Sequence, residues 1–139
     1  MTPSATALTL LIAWTLVLLV VMEAIRSWMV LTGRIPSNQF MPDNANLAPF
    51  MQRLARAHAN CIEGFPVFGG LLLLAIALGR SEITDTLAPW LVAARVLQST
   101  VHVASTSVMA ANVRFTFFAV QVAIAIAWTW AFVAAAWAA

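Results

Sequence analysis

Long apolar runs leave this chain few ways to fold. Four of them, roughly 7–31, 50–79, 87–108 and 114–137, take up most of its 139 residues. The hydrocarbon core of a bilayer is about 30 Å thick, and a helix crosses it in about 20 residues. Inside that core every backbone N–H and C=O must be satisfied within the segment, so runs of this kind are read as helices. The Ala/Ile alternation in the fourth run would suggest a strand if taken alone. Its length and alanine content, beside three other spanning runs, favour a helix. The prediction is an all-α integral membrane protein, a single four-helix bundle over residues 1–139 with up-and-down topology. Hydrophobic residues make up 63% of the chain and charged ones 9%, against about 25% charged in a typical soluble domain. That balance leaves little for an aqueous domain.

Several functions are excluded early. All seven basic residues are arginine, and they form no basic cluster or groove-reading motif, which argues against a nucleic-acid partner. The single cysteine, Cys61, rules out an intrachain disulfide framework and a multi-cysteine metal site. His58 and His102 alone do not make a metal centre, so none is predicted. The first run lacks a basic leader and a convincing cleavage site, and is read as a retained helix rather than a removed signal peptide.

The connections set topology. Residues 32–49 form the one extended polar loop, punctuated by Gly33, Pro36, Pro42 and Pro49. This loop can cap a groove or simply connect. Arg80 to Asp85 form a short polar turn that makes the second and third runs an antiparallel hairpin. Arg26, Arg34, Arg53, Arg56 and Arg114 lie towards one membrane face, and only Arg80 flanks the other. The positive-inside rule therefore places the 32–49 loop in the cytoplasm. A multi-pass protein of a bacterial inner membrane is the expected setting.

One stretch does not fit an inert membrane anchor. Within residues 53–68, Arg53, Arg56, Asn60 and Glu63 are spaced by three, four and three, near one stripe of a helix. Ionisable residues at membrane depth are costly unless they face protein or water, and are functional-site candidates by default. In an antiparallel hairpin, residues at equal depth have position numbers with a constant sum. Glu63 with Arg95, Asn60 with Gln98, and Arg56 with His102 all satisfy one such sum. Glu63 and Arg95 read first as a salt bridge near the bilayer middle, and Asn60 and Gln98 as interhelical hydrogen-bonding partners. Arg56 and Arg114 lack evident acidic partners and favour a carboxylate-bearing ligand. Arg114 is expected at the start of the fourth helix, where the helix N-terminus would add positive potential and lower the pKa of a bound thiol. Glu23 and Arg26, three apart, can pair on the first helix. Pro66 should bend the second, and Cys61 reads as a buried small hydrophobe.

Arg56-Ala-His-Ala-Asn60-Cys-Ile-Glu63, followed by Phe65-Pro66-Val-Phe68, resembles the signature of the membrane-associated proteins in eicosanoid and glutathione metabolism, the MAPEG family. It is similar to the second helix of the microsomal glutathione transferase and leukotriene C4 synthase members. Arg95-Val-Leu-Gln98 and Arg114 continue the resemblance. It implies a homotrimer of four-helix subunits with glutathione held between neighbours near the cytosolic face. Carried over by position, Arg56, Asn60, Glu63, Arg95, Gln98 and His102 would bind glutathione. Arg114 would be the catalytic residue, stabilising the glutathione thiolate. The implied reaction is attack on a lipophilic electrophile, or reduction of a lipid hydroperoxide, reached through the bilayer. The chain departs from the pattern in having no tyrosine: His102 stands where a ligand-contacting tyrosine is common, Gln98 at a position aromatic in the synthase, and Gly64 at another tyrosine position. Gln121 stands where related bacterial chains often have glycine. These departures carry the alternative, a non-catalytic lipid-binding or scaffold protein of the same fold.

Overall fold

Thr2 and Pro3 start the first helix earlier than the apolar run suggests. Thr2 accepts a hydrogen bond from the Ala5 N–H at 3.2 Å and Pro3 fills the first helical position, where its missing N–H costs nothing. The structure, a computed structural model, describes residues 1–137. Its four helices are α1 (Pro3–Leu31), α2 (Pro49–Ala77), α3 (Ala88–Ala104) and α4 (Val108–Trp137). Short 3-10 turns lie at Ser37–Gln39 and Ser81–Ile83. The all-α four-helix bundle is as expected, and consecutive helices run antiparallel.

Three helices, α1, α2 and α4, are long and apolar enough to cross a membrane. The sequence suggested four. α3 has 17 residues, about 25 Å at 1.5 Å per residue. It ends at Ala104 rather than near 108 because Ser105, Thr106 and Ser107 break the chain there. The Ser107 hydroxyl accepts the Ala110 N–H at 3.2 Å and so caps α4. As a result α4 starts at Val108, six residues before Arg114, and residues 109–113 are helical.

α2 continues through Pro66 without interruption. It stops at Gly79, whose φ of +64° suits a residue without Cβ; Gly79 and Arg80 donate back to Ile76 and Ala75. In the turn that follows, Arg80 Nε bonds Glu82 at 2.6 Å. That bond holds the exposed Glu82 carboxyl below its ordinary pKa.

Two apolar layers fill the bundle. At the 78–87 end, Leu11, Phe68, Leu72, Leu91, Ile124 and Trp128 pack together. At the loop end, Leu18, Met22, Met51, Leu54 and Cys61 form a second layer. Trp128 is 2% exposed within the core, whereas Trp130 and Trp137 face outward.

Each end is tied by polar contacts. Asp85 Oδ1 accepts from the Ser4 N–H at 2.9 Å and the Ser4 hydroxyl at 2.5 Å, and the Ser4 hydroxyl meets Thr84 Oγ1 at 2.7 Å. A carboxylate thus sits at the α1 N-terminus, where the unpaired N–H groups and the dipole favour it. Asp85→Ala is expected to destabilise the fold by about 1–2 kcal/mol, and Asp85→Asn by less. Thermal unfolding of purified protein in detergent reads this, and equal melting of all three proteins would refute the tie. At the other end Arg26 pairs with Glu23 at 2.8 Å, as their spacing suggested. It also donates to Asn44 and, at 3.2 Å, to the Met41 carbonyl. Asn44, fully buried at φ +56°, donates to the Met51 carbonyl at 2.9 Å. The 32–48 loop is therefore pinned to α1 and α2.

Candidate functional site

The hairpin register is close to that read from position numbers, but the facing residues are not. Arg53 Nε donates to the Val103 carbonyl at 2.8 Å, and Cys61 Sγ lies 3.4 Å from Ser99 Oγ. These crossings agree with the expected level to within about a turn. The expected Glu63–Arg95 salt bridge is not made. Arg95 is 3% exposed, and its Nη1 donates to Asn60 Oδ1 at 2.9 Å and to the Asn60 carbonyl at 3.3 Å. Its guanidinium stands over the Phe68 ring at 5.0 Å to the centroid. Glu63 points out of the bundle and reaches only Arg56, at 3.6 Å, with both side chains more than 60% exposed. The reason is azimuthal: equal depth does not place two residues on facing sides of their helices, and three residues of separation turn a helix by about 300°.

Gly64 makes the Arg95 position possible. A Cβ there would lie 2.5 Å from Arg95 Nη2 and 3.0 Å from the Phe68 ring. The departure to glycine at this position thus opens the space that the buried guanidinium occupies. Arg95 lines a small cavity of about 10 Å³ beside Cys61. Cys61 is buried, as read from sequence.

Five of the seven predicted site residues do converge. Arg56, Asn60, Gln98, His102 and Arg114 line one cavity of about 440 Å³ between α2, α3 and α4. The expected Asn60–Gln98 bond is absent. Asn60 is held by Arg95, and Gln98 Oε1 accepts from Gln121 Nε2 at 3.0 Å. Arg114 is also corrected in its local setting. It is the seventh residue of α4, so it has no free helix N-terminus beside it and offers the cavity its side chain alone. Its Nε is buried without a partner among the described residues.

A second cavity of about 640 Å³ continues from the first along α2 and α4, with Asn60 and Phe118 common to both. Its walls are apolar (Val67, Phe68, Val122, Ile126, Trp130 and Val133), and Glu63 stands at its polar edge. A donor-rich cavity therefore opens into an apolar groove. Such a pair can hold a polar molecule at one end and a lipophilic one at the other, with Asn60 and Phe118 where the two meet.

Phe118 and Gln121 are absent from the site read by sequence. The signal was available in the helical spacing of Arg114, Phe118 and Gln121, all within the fourth run; the earlier start at Val108 adds only Ala111 to that row. Among the described residues no cluster of His, Cys, Asp and Glu could hold a metal ion. The family model described as MAPEG family matches residues 4–134. Searches of curated proteins and of solved structures gave no match.

Proposed function

Since the chain belongs to the MAPEG family, membrane enzymes of glutathione and eicosanoid metabolism, we propose that it is a glutathione-dependent transferase or peroxidase acting on lipophilic electrophiles or lipid hydroperoxides. The observation that carries this reading is the convergence of Arg56, Asn60, Gln98, His102 and Arg114 on one cavity that opens into an apolar groove. Glutathione, as the sulfur-donating substrate, fits the donor set: its carboxylates suit the two guanidiniums and the side-chain amides. A cavity of about 440 Å³ is within the usual range for small-molecule sites.

In this reading Arg56, Asn60, Gln98 and His102 bind and orient the tripeptide. Glu63 accepts from its ammonium. Arg114 stabilises the thiolate electrostatically, so the protein needs no nucleophile of its own. Glutathione supplies the sulfur that attacks the electrophile or is oxidised by the hydroperoxide. The apolar groove admits the second substrate from the bilayer. Arg56 and Glu63 are well exposed on an isolated chain; exposed ionisable side chains at membrane depth are costly in lipid. A homotrimer in which a neighbour covers them removes that cost. The arginine bias places the 32–49 loop on the cytoplasmic side.

The test is glutathione binding to the purified protein. Arg56→Ala is expected to weaken it by about 10–100-fold, the loss of a charge-assisted hydrogen bond to a carboxylate. No saturable binding by the wild type in both detergent and lipid would sink the proposal. A second reading, a non-catalytic lipid-binding or scaffold protein, draws on the larger cavity being the apolar one. Co-purified lipid with no turnover across varied electrophiles would favour it.

A further inference from the structure

Two side-chain amides on the polar cavity are held from behind, and the hydrogen bonds decide which end of each faces inward. Arginine can only donate. Because Arg95 Nη1 donates to Asn60 Oδ1 at 2.9 Å, the Asn60 oxygen is taken and its Nδ2, which has no partner among the described residues, is the free end. The second chain of reasoning starts at a backbone carbonyl, which can only accept. Gln121 Nε2 donates to the Phe117 carbonyl at 2.9 Å, which fixes the orientation of that amide. The same Nε2 donates to Gln98 Oε1 at 3.0 Å. The Gln98 oxygen is therefore also taken, and its Nε2, unpartnered among the described residues, remains for the cavity that Gln98 lines. Gln121 is fully buried and lines neither of the two large cavities.

We propose that Gln121 and Arg95 are positioning residues that turn the Gln98 and Asn60 amides so that the cavity presents hydrogen-bond donors to its ligand. With Arg56 and Arg114 alongside, four of the five polar residues then offer N–H groups. His102 can donate from one ring nitrogen and accept at the other. A wall of this kind favours a carboxylate over its ester, because an ester loses the charge and half the acceptor capacity. Glutamine at position 121 is thus a specificity determinant: a side chain there that cannot donate to Gln98 leaves that amide free to rotate and present its oxygen.

This inference rests on the glutathione reading for its ligand but not for its geometry, and the experiment separates the two. Binding of glutathione and of its diethyl ester is measured on wild type and Gln121→Met, which keeps length and removes the donor. The wild type is expected to prefer the free acid. Gln121→Met should shrink that preference by about 3–10-fold, the worth of one neutral hydrogen bond, with little change in ester affinity. A purely structural role would weaken both ligands alike, and an unchanged preference overturns the proposal. Hydrogen exchange of the side-chain amides in wild-type protein labelled with 15N at glutamine needs no ligand and no variant. Both Gln121 amide protons should exchange slowly and those of Gln98 quickly. The reverse pattern overturns the assignment even if glutathione never binds. Failure of wild type to bind glutathione, with the expected exchange pattern, counts against the glutathione reading and leaves the donor-facing wall supported.

Discussion

Arg114→Ala is expected to lower turnover by about 100–1,000-fold, the usual effect of removing a preorganised stabiliser of developing negative charge, while much of the glutathione binding survives. The argument is local. Arg114 lines the polar cavity, its Nε is buried without a partner among the described residues, and no carboxylate is paired with it. Because the helix begins at Val108, no dipole end can substitute for the lost charge. The pH profile distinguishes thiolate stabilisation from a general loss of structure. A free thiol has a pKa of about 8.5, and a nearby guanidinium lowers it, so the wild-type rate should be flat at and above neutrality. In the variant the thiol returns towards its ordinary value, and the rate should climb as pH rises past neutral. The ultraviolet absorbance of the bound thiolate should vanish at neutral pH and return on the alkaline side. A variant with a wild-type pH profile would remove Arg114 from the chemistry.

Arg95→Ala should be the most damaging substitution for stability, at about 3 kcal/mol or more. It empties the space under Phe68 and leaves Asn60 Oδ1 without its donor. Arg95→Met separates the two contributions. Methionine fills much of the same volume, so only the hydrogen bonds are lost, and about 1 kcal/mol is expected. Replacing a buried charge by a packed apolar group is often close to neutral, which fits the smaller figure. Both variants should nonetheless weaken glutathione, because the Asn60 amide loses the bond that orients it. Thermal unfolding in detergent, with binding measured on the same samples, reads both effects. Arg95→Met that binds glutathione as the wild type does would show that Asn60 needs no anchor.

Much of the fold was legible in the residues alone, for simple reasons. Hydrocarbon admits only satisfied backbones, so long apolar runs had to be helices, and short polar turns made them antiparallel. The boundaries that were missed are those set by single capping residues. Thr2 and Pro3 extended α1, and Ser107 moved the start of α4 back past Arg114. A three-atom hydroxyl contact leaves little trace in an apolar pattern. It does decide what precedes Arg114: the later start put that residue at a helix N-terminus, whereas the row through Arg114, Phe118 and Gln121 lay within the helix on either reading.

The site divides the same way. Depth within the hairpin follows from the rise per residue, so the grouping of Arg56, Asn60, Gln98 and His102 at neighbouring levels was determined by the sequence. Rotation about each helix axis is set by packing against all the other helices, and only the tertiary structure decided it. That rotation sent Glu63 outward and Arg95 inward, gave Asn60 to Arg95 rather than to Gln98, and brought Gln121 behind Gln98. The sequence by itself thus determined a four-helix membrane protein with a layer of polar residues at one depth. Which of those residues face a ligand, and which stand behind them, was decided by how the helices turn to bury their small and apolar faces: Gly64 leaves room for one guanidinium, and no composition or spacing along the chain records that contact.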